Sequence, residues 1–314
     1  MLRRLLLVVI GASRIAAPQT LLVLNKDEAT LSFIDPRTGT TSGRVAVGES
    51  PHEIVADPAT RLAFVSNYGT GRSPGTTISV IDVAGHKELR RFDLGVMQRP
   101  HGIALSGGKV YFTAEANRMI GRYDPAANRI DWVMGTGLVG THMVLASADG
   151  ATLFTANIGS DSITIMEGNT HTVVPVGKGP EGLDLSPDGK FLWTAHSRDG
   201  GVSIIDVAAK KVVHTFDAGT RRSNRIKLTA DGKLALISDL EGNELVVVDA
   251  AARRVTKRLK PGKSPEGILL VPGGKEALVA LAGDNQIAVL DLASLEVTRR
   301  ITTGKGPDGM AWLP

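Results

Sequence analysis

The sequence contains no cysteine and few aromatic residues, and no apolar run long enough to cross a bilayer. The absence of cysteine excludes disulfide bonds, thiolate metal ligands and cysteine nucleophiles. Aromatic residues make up 4% of the 314 residues, against 36 glycines and 15 prolines, a balance that favours many short strands joined by tight turns. The apolar run Leu5–Ala12 is shorter than the roughly 20 residues of a transmembrane helix. We therefore expect no transmembrane segment in the mature chain.

Residues 1–17 are typical of an export signal. Arg3 and Arg4 form a charged segment, Leu5–Ala12 an apolar core, and small residues such as Ala17 follow. We predict that residues 18–314 form the mature protein and that it is exported, to the periplasm or beyond the cell. The alternative is an N-terminal tail or a buried first strand. The formal net charge of +4 falls to about +1 to +2 when Arg3 and Arg4, with or without Arg14, leave with the signal, too little for a global field that draws in nucleic acid.

A degenerate repeat of about 42 residues fills the rest of the chain. One unit begins Pro180-Glu-Gly-Leu-Asp-Leu and continues through the turn sequence Ser186-Pro-Asp-Gly189, whose Pro, Asp and Gly supply the backbone angles of a tight turn. Each unit contains four short apolar segments, which we call A to D. That spacing predicts four strands per propeller blade. The units start at Pro51, Pro100, Thr141, Pro180, Ser223, Pro265 and Pro307.

The two ends of the chain indicate how the ring closes. Only segments of type B, C and D precede the first unit, and a single A segment, Pro307–Pro314, follows the last. The sequence therefore predicts an all-β fold, a seven-bladed β-propeller with four antiparallel strands per blade, in which the C-terminal strand completes the N-terminal blade. Circular closure removes exposed sheet edges.

The end of segment B carries a resemblance to a known family. The segments Phe64-Val-Ser-Asn67, Phe112-Thr-Ala-Glu115, Phe154-Thr-Ala-Asn157 and Trp193-Thr-Ala-His196 resemble the YVTN-type propeller repeat. The resemblance extends over nearly the whole chain after the signal. It implies a propeller of the kind found in many exported bacterial and surface-layer proteins. It implies no single activity, because propellers carry unrelated functions.

Two repeat positions are predicted to face the mouth of the central channel, because the D–A and B–C loops of a propeller emerge on the same face. The first ring is His52, His101, His142, Glu181, Asn224, Glu266 and Asp308. The second ring is Asn25, Asn67, Glu115, Asn157, His196, Asp239 and Leu281. We predict a ligand-binding mouth here, whereas the alternative is a set of polar residues that only face solvent.

The histidines of consecutive blades suggest a metal site. Histidine is the commonest metal ligand and titrates near neutral pH, so His52, His101 and His142, with Glu115, are candidate ligands of a divalent metal. No other cofactor is indicated by the sequence.

Basic residues precede several unit starts. Lys178, Arg221, Lys263 and Lys305, with Arg222 and Arg225 alongside, form a predicted basic arc at the mouth, and such an arc can concentrate anions. The alternative is a set of independently solvated side chains. The B–C connection of the second blade, Asn67–Thr77, is unusually long, and we interpret it as a lid, a recognition element or a tolerated insertion.

Three functions remain open from the sequence. The first is an exported binding or scaffold protein that recognises a small anionic ligand or a protein partner at the mouth, and we expect it to be a monomer. The second is a metal-dependent, lactonase-like hydrolase, by analogy with related propellers. The third is single-stranded nucleic-acid binding, which the near-neutral charge of the mature chain disfavours.

Overall fold

The computed structural model of the chain describes residues 19–314, so the predicted export signal lies outside the described residues. Residues 19–314 form seven four-stranded antiparallel sheets, one per blade. Two 3₁₀ helices, Lys26–Glu28 and Glu115–Asn117, follow the strands formed by segment B of the first and third blades. Within these residues no helix has the length and apolarity needed to cross a membrane.

The strands are labelled in chain order, and each blade is given from its earliest strand. Blade 1 contains β1 (Thr20–Asn25), β2 (Thr30–Ile34), β3 (Thr41–Ala46) and β28 (Pro307–Leu313). Blade 2 contains β4 (Pro51–Asp57), β5 (Leu62–Gly69), β6 (Pro74–Asp82) and β7 (Lys87–Asp93). Blade 3 contains β8 (Pro100–Ser106), β9 (Lys109–Ala114), β10 (Met119–Asp124) and β11 (Arg129–Gly135). Blade 4 contains β12 (Thr141–Ala146), β13 (Thr152–Asn157), β14 (Ser162–Glu167) and β15 (Thr170–Pro175).

The remaining three blades follow the same order. Blade 5 contains β16 (Pro180–Leu185), β17 (Phe191–His196), β18 (Gly201–Asp206) and β19 (Lys211–Asp217). Blade 6 contains β20 (Ser223–Leu228), β21 (Leu234–Asp239), β22 (Glu244–Asp249) and β23 (Arg254–Leu259). Blade 7 contains β24 (Pro265–Leu270), β25 (Glu276–Leu281), β26 (Gln286–Asp291) and β27 (Glu296–Thr302). The seven predicted unit starts are thus the first residues of β4, β8, β12, β16, β20, β24 and β28.

The C-terminal strand closes the ring, as the sequence predicts. β28 pairs antiparallel with β1, and Trp312 lies opposite Leu21 in the register. Blade 1 is therefore built from both ends of the described chain, and its inner edge is covered rather than left open to pair with another molecule.

The inner strands form a continuous wall around the channel, because β4, β8, β12, β16, β20, β24 and β28 each contact the next and the last contacts the first. Glycine at the third position of several inner strands permits this close approach. A Cβ added to Gly267 would lie 2.2 Å from the backbone oxygen of Asp308, and one added to Gly309 would lie 2.3 Å from that of His52. Side chains at this position are therefore excluded wherever the neighbouring strand lies so close.

The apolar core lies between blades. Trp193 and Ile204 of blade 5, for example, pack with Ile226 and Leu228 of blade 6. Outer strands such as Lys211–Asp217 alternate between exposed and partly buried residues, because only one face of each packs inward. The turn at Ser186 brings its hydroxyl to the Asp188 carboxylate at 2.6 Å.

Candidate functional site at the channel mouth

All seven residues of the first ring line one cavity, which we call the mouth cavity. It has a volume of about 200 Å³. The ring residues are His52, His101, His142, Glu181, Asn224, Glu266 and Asp308. A larger cavity of about 390 Å³ lies at the A–B turns of blades 5 and 6, where none of the lining charged side chains is buried.

A repeated backbone irregularity aims these side chains at the channel. The pairing register shifts near the start of the inner strand in every blade, for example between Pro180 and Leu183 in blade 5 and between Ser223 and Ile226 in blade 6. Such a β-bulge bends the strand and re-aims a side chain. The ring residue lies inside each of these shifts in blades 2 to 7, so local backbone geometry and not a loop presents it.

The second ring does not line the mouth cavity, and most of its members stabilise the blades. Asn67 accepts a hydrogen bond from the backbone N–H of Gly48 at 3.0 Å and donates to the hydroxyls of Thr77 and Ser79, each at 2.9 Å. Asn25 makes the same contacts in blade 1. The recurring asparagine therefore ties the end of each such B strand to its C strand and to the preceding D strand.

The other members of the second ring are used locally too. Asn157 donates to Ser162 and Thr164, His196 lies 2.9 Å from the Asp199 carboxylate, and Asp239 accepts the backbone N–H groups of Arg221 and Arg222. Leu281 is fully buried. The predicted ligand-binding residues Asn67, Asn157, His196 and Asp239 thus lie outside the mouth cavity and make contacts within the blades, while Nε2 of His196 is buried without a hydrogen-bond partner. Glu115 is the exception in this ring, because it contacts His142.

Most residues of the basic arc lie outside the mouth cavity. Lys178, Arg221, Lys263 and Lys305 are exposed on the D–A loops and do not line the mouth cavity. Arg222 does line it, and its guanidinium lies 3.9 Å from Glu241. The arc therefore contributes to the field at the rim rather than to the cavity wall.

The long B–C connection of blade 2 is largely strand. β5 and β6 extend until Gly69 pairs with Pro74, which leaves a short exposed turn between them. Tyr68, at the end of this hairpin, lines the mouth cavity. The Arg99 guanidinium lies 4.9 Å from the Tyr68 ring centre. The connection thus supplies one aromatic wall residue.

One side of the mouth cavity is a row of aromatic rings from blades 2 to 4. The ring centres of His101 and His142 are 3.7 Å apart, and those of His52 and His101 are 4.8 Å apart. Burial lowers the pKa of His52 to about 4. Burial, with His142 and His52 as neighbours, also holds the pKa of His101 well below its usual value. Both rings are therefore neutral at physiological pH.

His142 is oriented by a carboxylate. Its Nδ1 lies 3.1 Å from Oε2 of Glu115, which stands on the 3₁₀ helix of the neighbouring blade. Burial alone would raise the pKa of Glu115, but the contacts with His142 and Tyr68 outweigh it and lower that pKa. An ionised Glu115 accepts a hydrogen bond, so Nδ1 of His142 is the donor, and Nε2 of the ring is left without a partner at the cavity.

The other side of the cavity is a network of buried charges. Lys26 forms ion pairs with Glu266 and, at 3.3 Å, with Asp308. Burial opposes the charge on Lys26, but the two carboxylates prevail and raise its pKa. Burial and the nearby Asp308 charge raise the pKa of Glu266 to about 8. Asp308 behaves in the opposite way, because Lys26 and Arg225 outweigh its burial and lower its pKa.

A buried ion pair crosses the channel and forms the floor of the mouth cavity. Arg225 of β20 pairs with Glu53 of β4, and these two strands are three blades apart, the largest separation in a ring of seven. Arg225 lines both the mouth cavity and a second cavity of about 300 Å³ below it, whose wall is mostly apolar. The guanidinium also lies 3.1 Å from the Asn224 side-chain oxygen. The pair therefore separates the two cavities.

The sequence analysis missed the role of this pair, although a signal was present. Arg225 and Glu53 occupy the third position of their inner strands, where Gly102, Gly182 and Gly267 stand in blades 3, 5 and 7. Two opposite charges at a position that usually holds glycine indicate a contact across the channel. Lys26 was missed for a different reason, since it follows the second ring by one residue and shares no repeat position with the first.

Four buried polar side-chain atoms of the first ring have no hydrogen-bond partner. They are Nδ1 of His101, Nε2 of His142, Oε2 of Glu181 and Oδ1 of Asp308. Buried polar groups in native proteins almost always have partners, and all four residues line the same cavity. As arranged here, no three His, Asp or Glu side chains in residues 19–314 form a group that could hold a metal ion. The histidines are brought together, but as a stack of rings.

Comparisons with known proteins bear on the whole fold. A family model described as "YNCE-like beta-propeller" matches residues 108–273, which is more than half of the chain. The protein YncE of Escherichia coli (strain K12) is 28% identical over 255 residues, covering 73% of this chain and 68% of that protein. YncE of Salmonella typhi is 26% identical over 245 residues with the same coverage.

Solved structures share the architecture at low identity. The periplasmic gluconolactonase PpgL of Pseudomonas aeruginosa has a TM-score of 0.77 and 22% identity, covering 94% of this chain and 99% of that one. A putative 6-phosphogluconolactonase of Bacteroides fragilis has a TM-score of 0.80 and 18% identity, covering 97% and 100%. A chain of Kuenenia stuttgartiensis hydrazine synthase has a TM-score of 0.77 and 19% identity, covering 92% and 100%. At these identities the similarity shows the fold alone.

Proposed function

We propose that this chain, which belongs to the YNCE-like β-propeller family, is an exported recognition protein that binds a small polar ligand in the mouth cavity. One observation carries the proposal: the four buried, unpartnered polar atoms of His101, His142, Glu181 and Asp308 all belong to residues that line one cavity. A polar ligand would supply their missing hydrogen bonds and so recover the cost of burying them.

The size of the cavity limits the ligand. A volume of about 200 Å³ equals the liquid share of roughly six or seven water molecules and lies below the roughly 300–1,000 Å³ of pockets that enclose drug-sized ligands. The Arg225–Glu53 floor keeps the second cavity from extending it. The ligand is therefore a small molecule, or a larger one that inserts only one end.

The export part of the proposal rests on the N-terminal sequence. Arg3 and Arg4 followed by the apolar run Leu5–Ala12 have the order of a secretory signal. N-terminal sequencing of protein from cell fractions tests it. We expect a shortened N-terminus in the exported fraction, and an intact Met1 on cytoplasmic protein alone would contradict export.

Ligand binding is tested by the thermal midpoint of unfolding in the presence of a panel of small amines, polyols, hydroxy acids and nucleotides. A ligand at 100 times its dissociation constant stabilises the folded protein by about 2.7 kcal/mol. We expect at least one member to raise the midpoint of the wild type and to lose most of this effect on Glu181→Gln. The control Glu296→Gln, on the exposed face of β27, should respond like the wild type.

Two results would contradict the binding site. One is a panel without effect on the wild type. The other is a ligand that stabilises wild type and Glu181→Gln equally, since it would then bind elsewhere on the protein.

A metal-dependent, lactonase-like hydrolase is the second candidate. Its specific support is the contact of Glu115 with His142 beside the stacked rings of His52 and His101. Elemental analysis of the purified protein, before and after metal supplementation, tests it: about one divalent metal per chain, lost in His101→Ala, is the expected result for this function. A metal-free protein that stays metal-free would remove it.

A further inference from the structure

We infer that the ligand of the mouth cavity presents a primary ammonium group to His142 and Glu181, which lie within 4.0 Å of each other. The inference rests on the proposed function, because it names the chemical class of the ligand at the same site. It replaces the anionic ligand expected from the basic arc, and it follows from the hydrogen-bonding roles of the unpartnered atoms and from the balance of buried charges.

The unpartnered atoms are mainly acceptors. Oε2 of Glu181 and Oδ1 of Asp308 belong to carboxyl groups whose other oxygens are already engaged, the first with Asn224 at 2.8 Å and the second with Lys26 at 3.3 Å. In the tautomer that donates Nδ1–H to Glu115, Nε2 of His142 is an acceptor. Buried acceptors of this kind call for a group rich in donors, and an ammonium group has three N–H donors and no acceptor.

The buried charges around the cavity are not balanced by the chain itself. Five carboxyl groups surround it, each with a side chain at most 20% exposed. They belong to Glu53, Glu115, Glu181, Glu266 and Asp308. Among the described residues, Lys26 and Arg225 are the only Lys or Arg side chains that form ion pairs with these five carboxyl groups. Unpaired buried charge is costly, so either protons or a bound cation must compensate the excess.

Lys26 is an example of an ammonium group that this site binds with carboxylates. Its Nζ pairs with Glu266 and Asp308 on the blade 7 and blade 1 side of the cavity. On the facing side, Glu181 has no Lys or Arg nitrogen of residues 19–314 within 4.0 Å, and Nε2 of His142 lies 4.0 Å from it. A ligand ammonium group beside Glu181 would pair with its carboxylate, as Lys26 pairs with Glu266 and Asp308 on the opposite side.

An anionic group fits the cavity poorly. Arg225 is already engaged with Glu53 and Asn224, and Lys26 with Glu266 and Asp308, so neither cation has a free partner position comparable to that of the carboxylates. The exposed arginine of the wall, Arg222, lies at the rim. A carboxylate or phosphate on the ligand would therefore stay at the rim, with the ammonium group inside.

Three probes of one size separate the chemical classes. Ethanolamine, ethylene glycol and glycolate share a two-carbon frame with a hydroxyl group and differ in carrying an ammonium, a second hydroxyl or a carboxylate. We expect isothermal titration at pH 7.5 to give ethanolamine an affinity at least about tenfold higher than either other probe, because hydrogen bonds to charged groups are the stronger ones.

Substitutions test where ethanolamine binds. Glu181→Gln removes one charge and puts an amide in place of one acceptor, and we expect it to weaken ethanolamine binding about tenfold or more. The matched control Glu296→Gln should bind like the wild type. Circular dichroism and the thermal midpoint test whether Glu181→Gln is folded. If it is not, Asn224→Ala, which removes the hydrogen-bond partner of Glu181 and one contact of Arg225, serves as the second variant and should also weaken ethanolamine binding.

Proton release gives an independent readout. A cation in the cavity lowers the pKa of Glu266 from its raised value, so ethanolamine binding should release protons to the buffer. Because phosphate and HEPES take up protons with different enthalpies, the apparent binding enthalpy of ethanolamine should differ between the two buffers, whereas that of ethylene glycol should agree. The same comparison on Glu266→Gln should remove the difference between buffers.

The outcomes distinguish this inference from the proposed function. Tighter binding of glycolate or ethylene glycol, lost in Glu181→Gln, would overturn the ammonium inference and leave a polar-ligand site. Stoichiometric binding of Ca²⁺ or Zn²⁺ that displaces ethanolamine would overturn it in favour of a metal. No binding by any probe, together with a wider panel that leaves the thermal midpoint unchanged, would overturn both.

Discussion

The two sides of the mouth cavity use the same repeat position in opposite ways. In blades 2 to 4 the position holds His52, His101 and His142, whose rings stack and of which the first two are held neutral by burial. From blade 5 round to blade 1 it holds Glu181, Asn224, Glu266 and Asp308, of which the last three contact Lys26 or Arg225. The bulged backbone is common to both sides. The repeat therefore fixes where a side chain points, while the chemistry of the site depends on which residue each blade carries.

The largest expected effect comes from breaking the charged side. Arg225→Met leaves Glu53 buried without its cation, so we expect the free energy of unfolding to fall by about 3–5 kcal/mol, measured by urea denaturation. The double variant Arg225→Gly/Glu53→Gly, which carries the residue of blades 3, 5 and 7 at this position, should recover much of that loss. The exposed control Lys263→Met should change stability by less than about 0.5 kcal/mol. Equal losses in the single and double variants would show that the pair is not coupled.

The charged side should also lose stability as the pH rises. Because the folded pKa of Glu266 is raised from 4.5 to about 8, the folded protein binds this proton more tightly than the unfolded chain. Its contribution is fully present below about pH 4.5 and is lost as the pH passes through 8, by an amount on the order of 3–4 kcal/mol. Urea denaturation of wild type and Glu266→Gln across pH 5–9 should show this slope in the wild type only. A shared slope would refute the assignment.

The histidine side should respond to pH in the opposite direction. Burial lowers the folded pKa of His52 from 6.5 to about 4, so protonation favours the unfolded chain. The contribution is present above about pH 6.5 and lost as the pH falls towards 4, by at most about 3 kcal/mol, because the ring keeps some contact with solvent. The stability difference between wild type and His52→Gln should therefore shrink on acidification. A difference that is constant between pH 4 and 7 would contradict it.

A smaller effect is expected at the second ring, outside both sides of the cavity. Asn67→Ala removes the acceptor for the Gly48 N–H and the donors to Thr77 and Ser79, and we expect a loss of about 1–3 kcal/mol in the free energy of unfolding. Ligand binding to the folded variant should be unchanged, since Asn67 does not line the cavity. If the variant is fully folded and still binds the ligand more weakly, Asn67 contributes to the binding site.

The fold was accessible from the sequence because its signals repeat. Seven unit starts at nearly constant spacing, and a lone A segment at Pro307 to match the missing one at the N-terminus, determine the blade number and the closure together. The first ring followed from the same alignment, because a bulge at a fixed place in each inner strand aims the second residue at the channel.

The second ring lies outside the mouth cavity for a physical reason that the repeat also contained. Asparagine recurs at Asn25, Asn67 and Asn157, and each donates to side chains of its C strand, while Asn25 and Asn67 also accept a backbone N–H from the end of the preceding D strand. A ligand site, in contrast, is built from positions where the blades differ. The Arg225–Glu53 pair is such a difference, but it joins residues 172 positions apart, and no local pattern specifies a contact across the channel.

A crystal structure of the protein with ethanolamine at saturating concentration tests the central claim most directly. The account predicts density for the ligand in the mouth cavity, with its nitrogen within hydrogen-bond distance of Oε2 of Glu181 and Nε2 of His142. Density at the exposed rim alone, or an empty cavity with those atoms bonded only to water at a concentration that saturates binding in solution, would contradict it.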